Sequence, residues 1–264
     1  MNNTINVSID CVPAELREFF AEHSTIALAF SGGTDSSLLV WAAAKYGKDW
    51  HAYYLHSAFQ PAFELADARK IAYQCQIPLT IIEADILRYP EVTANPADRC
   101  YHCKRRVFSA ILHQAATDGY SLVIDGTNAS DDAGDRPGMK ALQELEIRSP
   151  LRECGLTKGD VRTLCREADL FVWNKPSYAC LATRIPAGTP ITAEALQKVE
   201  KSENMIASLG FHDFRVRLRG DTAVLQFTED QFPYAWECRE TLRTRLAPMF
   251  AQVTLDLTTR AASC

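Results

Sequence analysis

Apolar positions along the chain gather in short runs, separated by stretches with helical spacing. The runs at 26–30, 51–56, 79–83 and 122–125 are rich in Ile, Leu, Val, Ala and Tyr, and read as buried strands. Between them, periodic segments predict helices at 13–22, 38–47 and 61–75, and another to about 116 with Asp98 as its cap. On the third of these, Phe63, Ala66, Ile71 and Ala72 share one side. Strands alternating with helices imply an α/β fold with a doubly wound parallel sheet. A further helix is expected at 157–168, followed by an unperiodic stretch at 173–188 that contains several breakers. The order then changes to helix (192–209), strand (214–218), strand (223–227), helix (231–246) and strand (253–257), with Gly220 and Asp221 turning the hairpin. This predicts a larger domain over 1–189 and a smaller C-terminal α+β domain over 190–264.

Composition narrows the function more than the fold. A hydrophobic share of 47% and a charged share of 23% in 264 residues are ordinary globular values. A net charge of −5 offers no basic field, so nucleic acid is not an expected partner. No run approaches bilayer length and no Lys or Arg precedes Arg17, so neither a membrane span nor a signal peptide is expected and the location is read as cytoplasmic. Nine scattered cysteines do not make a disulfide framework. Only Cys100 and Cys103 have ligand spacing, on one face of a first helical turn, whereas Cys11, Cys75, Cys154, Cys165, Cys238 and Cys264 read as structural.

The chemistry concentrates at Ser31, Gly32, Gly33, Thr34, Asp35, Ser36 and Ser37, between the first strand and its helix. Two glycines let the backbone approach a ligand, the hydroxyls add donors, and the helix start favours negative charge. Polyphosphate is the expected guest. No lysine closes the loop as in G-x-x-x-x-G-K-[ST], and the spacing is not G-x-G-x-x-G. In a doubly wound sheet, ligands sit beyond the carboxyl ends of the strands, where this loop and the turn at Gly126 after Asp125 both fall. Three features stay open on residues alone. The Cys100–Cys103 pair suits an iron–sulfur cluster, half a zinc site or a redox pair. The long loop at 126–138 is either functional or a solvated acidic face. Arg215 and Arg217, with Arg219 continuing the row, are either a solvated strand face or a phosphate clamp.

The loop at 31–37 resembles the S-G-G-x-D-S signature of the PP-loop ATP pyrophosphatases. Three further blocks follow in order: Arg99 to Lys104, then Asp135, Arg136, Pro137 and Gly138, then Asn174 to Arg184. Together the four resemble the LarE family, the ATP-dependent sulfur transferases that mature the nickel-pincer nucleotide of lactate racemase. The resemblance implies ATP cleavage between the α and β phosphates, with the loop, Gly126, Asp132 and Arg136 around the nucleotide and Asp35 at a Mg²⁺ ion. It implies adenylylation of a carboxylate on a pyridinium mononucleotide, then replacement of AMP by sulfur from sulfide or another donor. Cys100, Cys103 and Cys180 match the family's three-cysteine branch, which holds a [4Fe-4S] cluster. Lys104 and Arg184 match basic positions near the substrate, Arg215 and Arg217 match a phosphate-contacting pair, and a homo-oligomer is implied. Thr183 stands where serine is common. Two other enzyme classes use such loops, tRNA thiolases and ammonia-dependent adenylating amide synthetases; the first calls for a basic groove and the second for no cluster.

Overall fold

The computed structural model describes residues 12–131 and 136–261, apart from the side chain of Arg136. Asp132, Asp135, Cys11 and Cys264 lie outside the described residues. In chain order the elements are α1 (Ala14–Glu22), β1 (Thr25–Ala29), α2 (Thr34–Tyr46), β2 (Asp49–His56), α3 (Ala62–Gln74) and β3 (Leu79–Glu83). Next come α4 (Pro90–Thr93), α5 (Arg99–Thr117), β4 (Val123–Ile124), α6 (Arg136–Glu144), α7 (Pro150–Glu153) and α8 (Lys158–Glu167). The last are α9 (Ala193–Ala207), β5 (Arg215–Arg219), β6 (Thr222–Gln226), α10 (Phe232–Glu237), α11 (Arg239–Leu246) and β7 (Gln252–Leu255). They form two compact units that interleave along the chain: the first takes 1–56, 62–84 and 100–175, and the second takes 57–61, 85–99 and 176–264.

The first unit is the expected α/β sheet. Its strands run in the order β3-β2-β1-β4 and every pairing is parallel, so the chain leaves β1 in one direction toward β3 and returns on its other side as β4. Alternation along the strands sorts side chains into two cores. Ile26, Leu28, Ala52 and Tyr54 pack with Leu16, Phe20, Leu38, Ile71 and Val161, from α1, α2, α3 and α8. Ala27, Ala29, Tyr53 and Leu55 face Phe108, Ile111 and Ala115 of α5 and Leu142 of α6. Each fully buried Leu, Ile or Phe contributes roughly 1.5–3 kcal/mol, and burial on both faces explains why these strands read as continuous apolar runs.

The second unit holds a three-stranded sheet in the order β5-β6-β7, with β5 and β6 antiparallel and β6 and β7 parallel. Gly220, at φ +58°, makes the hairpin turn with Asp221. The single helix expected at 231–246 is broken, because Cys238 sits at φ −82° and ψ 5° between α10 and α11. Two other boundaries differ from the sequence reading. Helix α2 starts inside the polar loop, at Thr34, once Gly33 has taken an extended conformation. The loop after β4 ends in helix α6, whose second residue, Pro137, has a position in the first turn where its missing N–H costs nothing.

Candidate functional site

At the carboxyl end of β1 the chain makes a close turn. Gly32 has φ +74°, and a Cβ placed there would lie 2.9 Å from the Glu64 carbonyl oxygen and 3.2 Å from Ala68 Cβ on α3. Only glycine fits both the backbone and the space. No side chain caps α2, whereas Thr157 and Asp160 form a full capping box on α8 and Thr192 caps α9. The first turn of α2 therefore has no side-chain acceptor capping it, as at helix starts that bind anions.

The hydroxyls divide between two tasks. Ser36 Oγ is the hub of the loop: it lies 3.0 Å from Ser31 Oγ, accepts from Ser31 N–H at 3.3 Å and donates to the Gly33 carbonyl at 3.2 Å. Thr34 Oγ1 instead donates to the Val172 carbonyl at 3.0 Å, inside the protein. Ser37 is fully buried and its hydroxyl has no partner among the described residues. Thr34, Ser36 and Ser37 are all buried, so Ser31 is the exposed hydroxyl of the loop, beside its backbone N–H groups.

The turn after β4 closes on this loop. A Cβ on Gly126 would lie 2.8 Å from Ser36 N, so the chain after β4 passes directly against the start of α2. Asp125 is buried and accepts from Ser149 Oγ at 2.6 Å, from Thr127 Oγ1 at 2.5 Å and from Thr127 N–H at 3.2 Å. Burial raises its carboxyl above the ordinary value, although these bonds and the charge of Lys104 pull the other way.

Asp35 belongs to a closed polar ring. Its Oδ2 pairs with Lys158 Nζ at 2.5 Å and its Oδ1 accepts from Asn128 Nδ2 at 3.2 Å. Asn128 Oδ1 accepts from Ser130 N–H at 2.8 Å, and Ser130 Oγ accepts from Lys158 N–H at 3.0 Å, which closes the ring. Sequence reasoning missed Lys158 and Asn128. A signal for Lys158 was present: a lysine directly after the N-cap threonine opposes the helix dipole.

Cys100 and Cys103 lie one turn apart on α5 in the first unit; Cys180 belongs to the second. All three are half-buried, and none is in a disulfide among the described residues. Among the described residues no three His, Cys, Asp or Glu side chains gather closely enough to hold a metal ion. Cys75 and Cys165 are buried, and burial pushes their thiols up to about 11 and about 12.

Within the second unit, the segment carrying Cys180 is held by arginines. Arg184 is 1% exposed and donates to Glu203 Oε1 at 2.9 Å, to the Ala179 carbonyl at 2.9 Å and to Thr183 Oγ1 at 2.7 Å. Arg215 donates to the Ser177 carbonyl at 2.6 Å, and Arg217 to the Thr183 carbonyl at 2.8 Å. Arg215 is 6% exposed, so it is not part of a solvated strand face. Its pKa is lowered to about 10 by burial first, then by the charges of Arg184 and Arg260. Tyr178 lies between the Arg184 and Arg215 guanidiniums, 4.6 and 5.0 Å from its ring centre, and its hydroxyl bonds Glu203. Glu203, also missed in the sequence, is the carboxylate on which this cluster turns.

No protein-family model matches the chain. It is 35% identical over 248 residues to an uncharacterized protein of Synechocystis, covering 92% of each chain. It is 32% identical over 235 residues to the pyridinium-3,5-bisthiocarboxylic acid mononucleotide synthase of Lactiplantibacillus plantarum, covering 88% of this chain and 85% of that one. An uncharacterized protein of Methanocaldococcus jannaschii is 28% identical over 215 residues, 81% of this chain and 82% of its own.

Proposed function

The chain belongs to the LarE family, that of the pyridinium-3,5-bisthiocarboxylic acid mononucleotide synthase, and from that membership we propose that it is an ATP-dependent sulfur transferase of nickel-pincer cofactor synthesis. In the first step a carboxylate oxygen of a pyridinium mononucleotide attacks the α-phosphorus of ATP, and pyrophosphate leaves. In the second, a sulfur nucleophile attacks the acyl carbon, and AMP leaves with the electrons of the broken C–O bond. A free carboxylate is a poor electrophile, and the acyl-adenylate supplies the leaving group that sulfur needs.

The observation that carries this reading is the uncapped start of α2, opened by a glycine that no other residue can replace. Its N–H groups, with Ser31 and Ser36, would suit the departing pyrophosphate, and Gly126 and Arg136 would belong to the same site. Asp35 offers oxygen donors of the kind Mg²⁺ takes, and the ion would neutralise the phosphates. Lys104, charge-coupled to Asp125, would hold the substrate's carboxylate or phosphate. Cys100, Cys103 and Cys180 are the thiols that would hold a [4Fe-4S] cluster, which would supply the sulfide and leave one iron without a protein ligand. Arg184 would act by positioning the Cys180 segment, and Arg215 and Arg217 would add positive charge for the nucleotide phosphate. The loop acid at Asp132 would complete the nucleotide site, and assembly as a homo-oligomer belongs to the same reading.

The test is an anaerobic preparation, analysed for iron and sulfide and then given ATP, Mg²⁺ and the pyridinium dicarboxylate mononucleotide. AMP, pyrophosphate and a thiocarboxylated product are expected together, with Cys180→Ala abolishing the product but not pyrophosphate release. Absence of substrate-dependent AMP would refute the proposal.

A further inference from the structure

The first unit holds a cavity that the sulfur-transfer reading does not use. It is open to solvent, has a volume of about 490 Å³ and is lined by residues of α6, of α7 and of the stretch that joins them. That stretch runs beside β4: Arg148 N–H donates to the Val123 carbonyl at 3.1 Å, and Asp125 N–H to the Arg148 carbonyl at 2.9 Å. A space of this size suits one small molecule. Its apolar lining is Leu142 and Ile147, both buried, and the half-buried Met139. Its polar lining is Ser149, Gln143 and two cations, Lys140 and Arg152.

The two cations differ in what they already hold. Lys140 pairs with Glu144 at 3.7 Å. Among the described residues Arg152 has no carboxylate: Nη1 donates to Met139 Sδ at 3.3 Å and Nη2 to the Asp131 carbonyl at 2.8 Å. Both acceptors are neutral, and a guanidinium with five N–H donors keeps an edge for a ligand. A carboxylate takes such an edge with two parallel bonds. One uncompensated charge matches a monoanion better than a phosphate dianion. The thioether beside it favours an aromatic ring, whose apolar faces Leu142 and Ile147 can cover. We propose that this cavity binds a small aromatic carboxylate, with its charge on Arg152 and its ring against Met139, Leu142 and Ile147. Ser149 joins the site to the sheet: it lines the cavity and donates to Asp125 at 2.6 Å, one residue before the Gly126 that packs on the start of α2. The assignment goes beyond the sulfur-transfer reading and does not depend on it.

Benzoate is the probe, titrated into the full chain carrying methyl-labelled methionine and followed by NMR. Of the four methionines Met139 lines the cavity, and its methyl signal should shift saturably as the ring arrives while those of Met205 and Met249 stay in place. A ligand of about nine non-hydrogen atoms reaches a Kd of about 10 mM or below in a fitting site. Arg152→Met should weaken benzoate at least about tenfold, the worth of one charge-assisted hydrogen bond. Benzamide, with the same ring and no charge, should bind the wild type about as weakly as benzoate binds that variant. No saturable shift at Met139, or benzamide binding as tightly as benzoate, overturns the proposal. Should Arg152→Met not fold, Gln143→Trp decides: Gln143 is exposed on α6, and a larger side chain there fills the cavity, so unchanged benzoate affinity overturns the assignment. The sulfur-transfer reading is read by AMP release instead, so failure of one leaves the other standing.

Discussion

Replacing Glu203 with alanine should cost the second unit more than any other single side chain in it. Its carboxylate, 5% exposed, accepts from Arg184 Nε at 2.9 Å and Nη2 at 3.3 Å, from Val216 N–H at 2.9 Å and from the Tyr178 hydroxyl. Removing it strands a guanidinium that is 1% exposed, and breaking one side of a buried ion pair costs about 3–5 kcal/mol. The orphaned Val216 N–H and Tyr178 hydroxyl lie within the same network, so their losses overlap with that figure rather than adding to it. Glu203→Gln keeps an acceptor for Val216 and should cost less, about 2–3 kcal/mol, since hydrogen bonds to charged groups are worth about 1.5–3 kcal/mol. Pairing Glu203→Ala with Arg184→Met removes the stranded charge, and the double variant should be more stable than the sum of the singles by about 1–3 kcal/mol. Hydrogen exchange on peptides spanning 193–207 and 215–226 reads this unit separately from the first, which a global melt does not. A loss below about 1 kcal/mol for Glu203→Ala, or strict additivity in the cycle, would refute the reasoning.

Gly32→Ala forces a left-handed residue, at about 1–2 kcal/mol, and drives Cβ to 2.9 Å from the Glu64 carbonyl; calorimetry should show ATP binding lost while circular dichroism keeps its helical signal. Asp125 has a folded pKa raised by burial, so the stability it contributes is complete below the ordinary value of 3.8 and is lost as pH rises through the raised one. Asp125→Asn can accept from Ser149 and Thr127 N–H and donate to Thr127 Oγ1; urea titrations should find it at least as stable as wild type at neutral pH, without the loss on raising pH. His51, whose pKa burial lowers, contributes stability above 6.5 that is lost as pH falls through its lowered value; His51→Gln should flatten that acid limb in thermal melts.

Much of the first unit was legible because its strands are buried on both faces. Ile26 and Leu28 feed one core and Ala27 and Ala29 the other, so the run is apolar without interruption and cannot be mistaken for a surface strand. The cradle was legible for a different reason: two adjacent glycines after such a run have few other uses. What the glycines did not disclose was which hydroxyls serve it. Thr34, Ser36 and Ser37 look equivalent to Ser31 in the sequence, yet the helix begins at Thr34, and those three are buried while Ser31 is exposed. The partners of Lys158 and Glu203 were out of reach for a shared reason. Each matters through a partner far away in sequence, 123 positions for Lys158 with Asp35 and 19 for Glu203 with Arg184, and no local pattern records such a pairing.

The stretch after residue 173 had no period and several breakers, which as a sequence suggests slack. Its carbonyl groups tell otherwise. Ser177 is bonded by Arg215, Ala179 by Arg184 and Thr183 by Arg217, while Asn95 Nδ2 donates to the carbonyls of Ile185, Pro186 and Thr189 at 3.3, 2.8 and 3.1 Å. Leu181 N–H donates to the Phe59 carbonyl at 2.9 Å. Side chains thus take the place of a ladder, and they satisfy backbone groups that would otherwise be costly to bury. On the proposed reading Cys180 would hold or receive sulfur at one point, which calls for a fixed backbone, and a strand or helix would set its direction by a regular period. Cross-bracing by three arginines and an asparagine fixes Cys180 without imposing that period. It also makes a prediction of its own: Arg217→Met, which removes the Thr183 bond and leaves Glu203 with Arg184, should speed alkylation of Cys180 by a small thiol reagent several-fold. The alkylation rates of Cys100 and Cys103, on a regular helix, should not change. Equal acceleration at all three cysteines would mean general loosening, and no acceleration at Cys180 would mean that the brace is redundant.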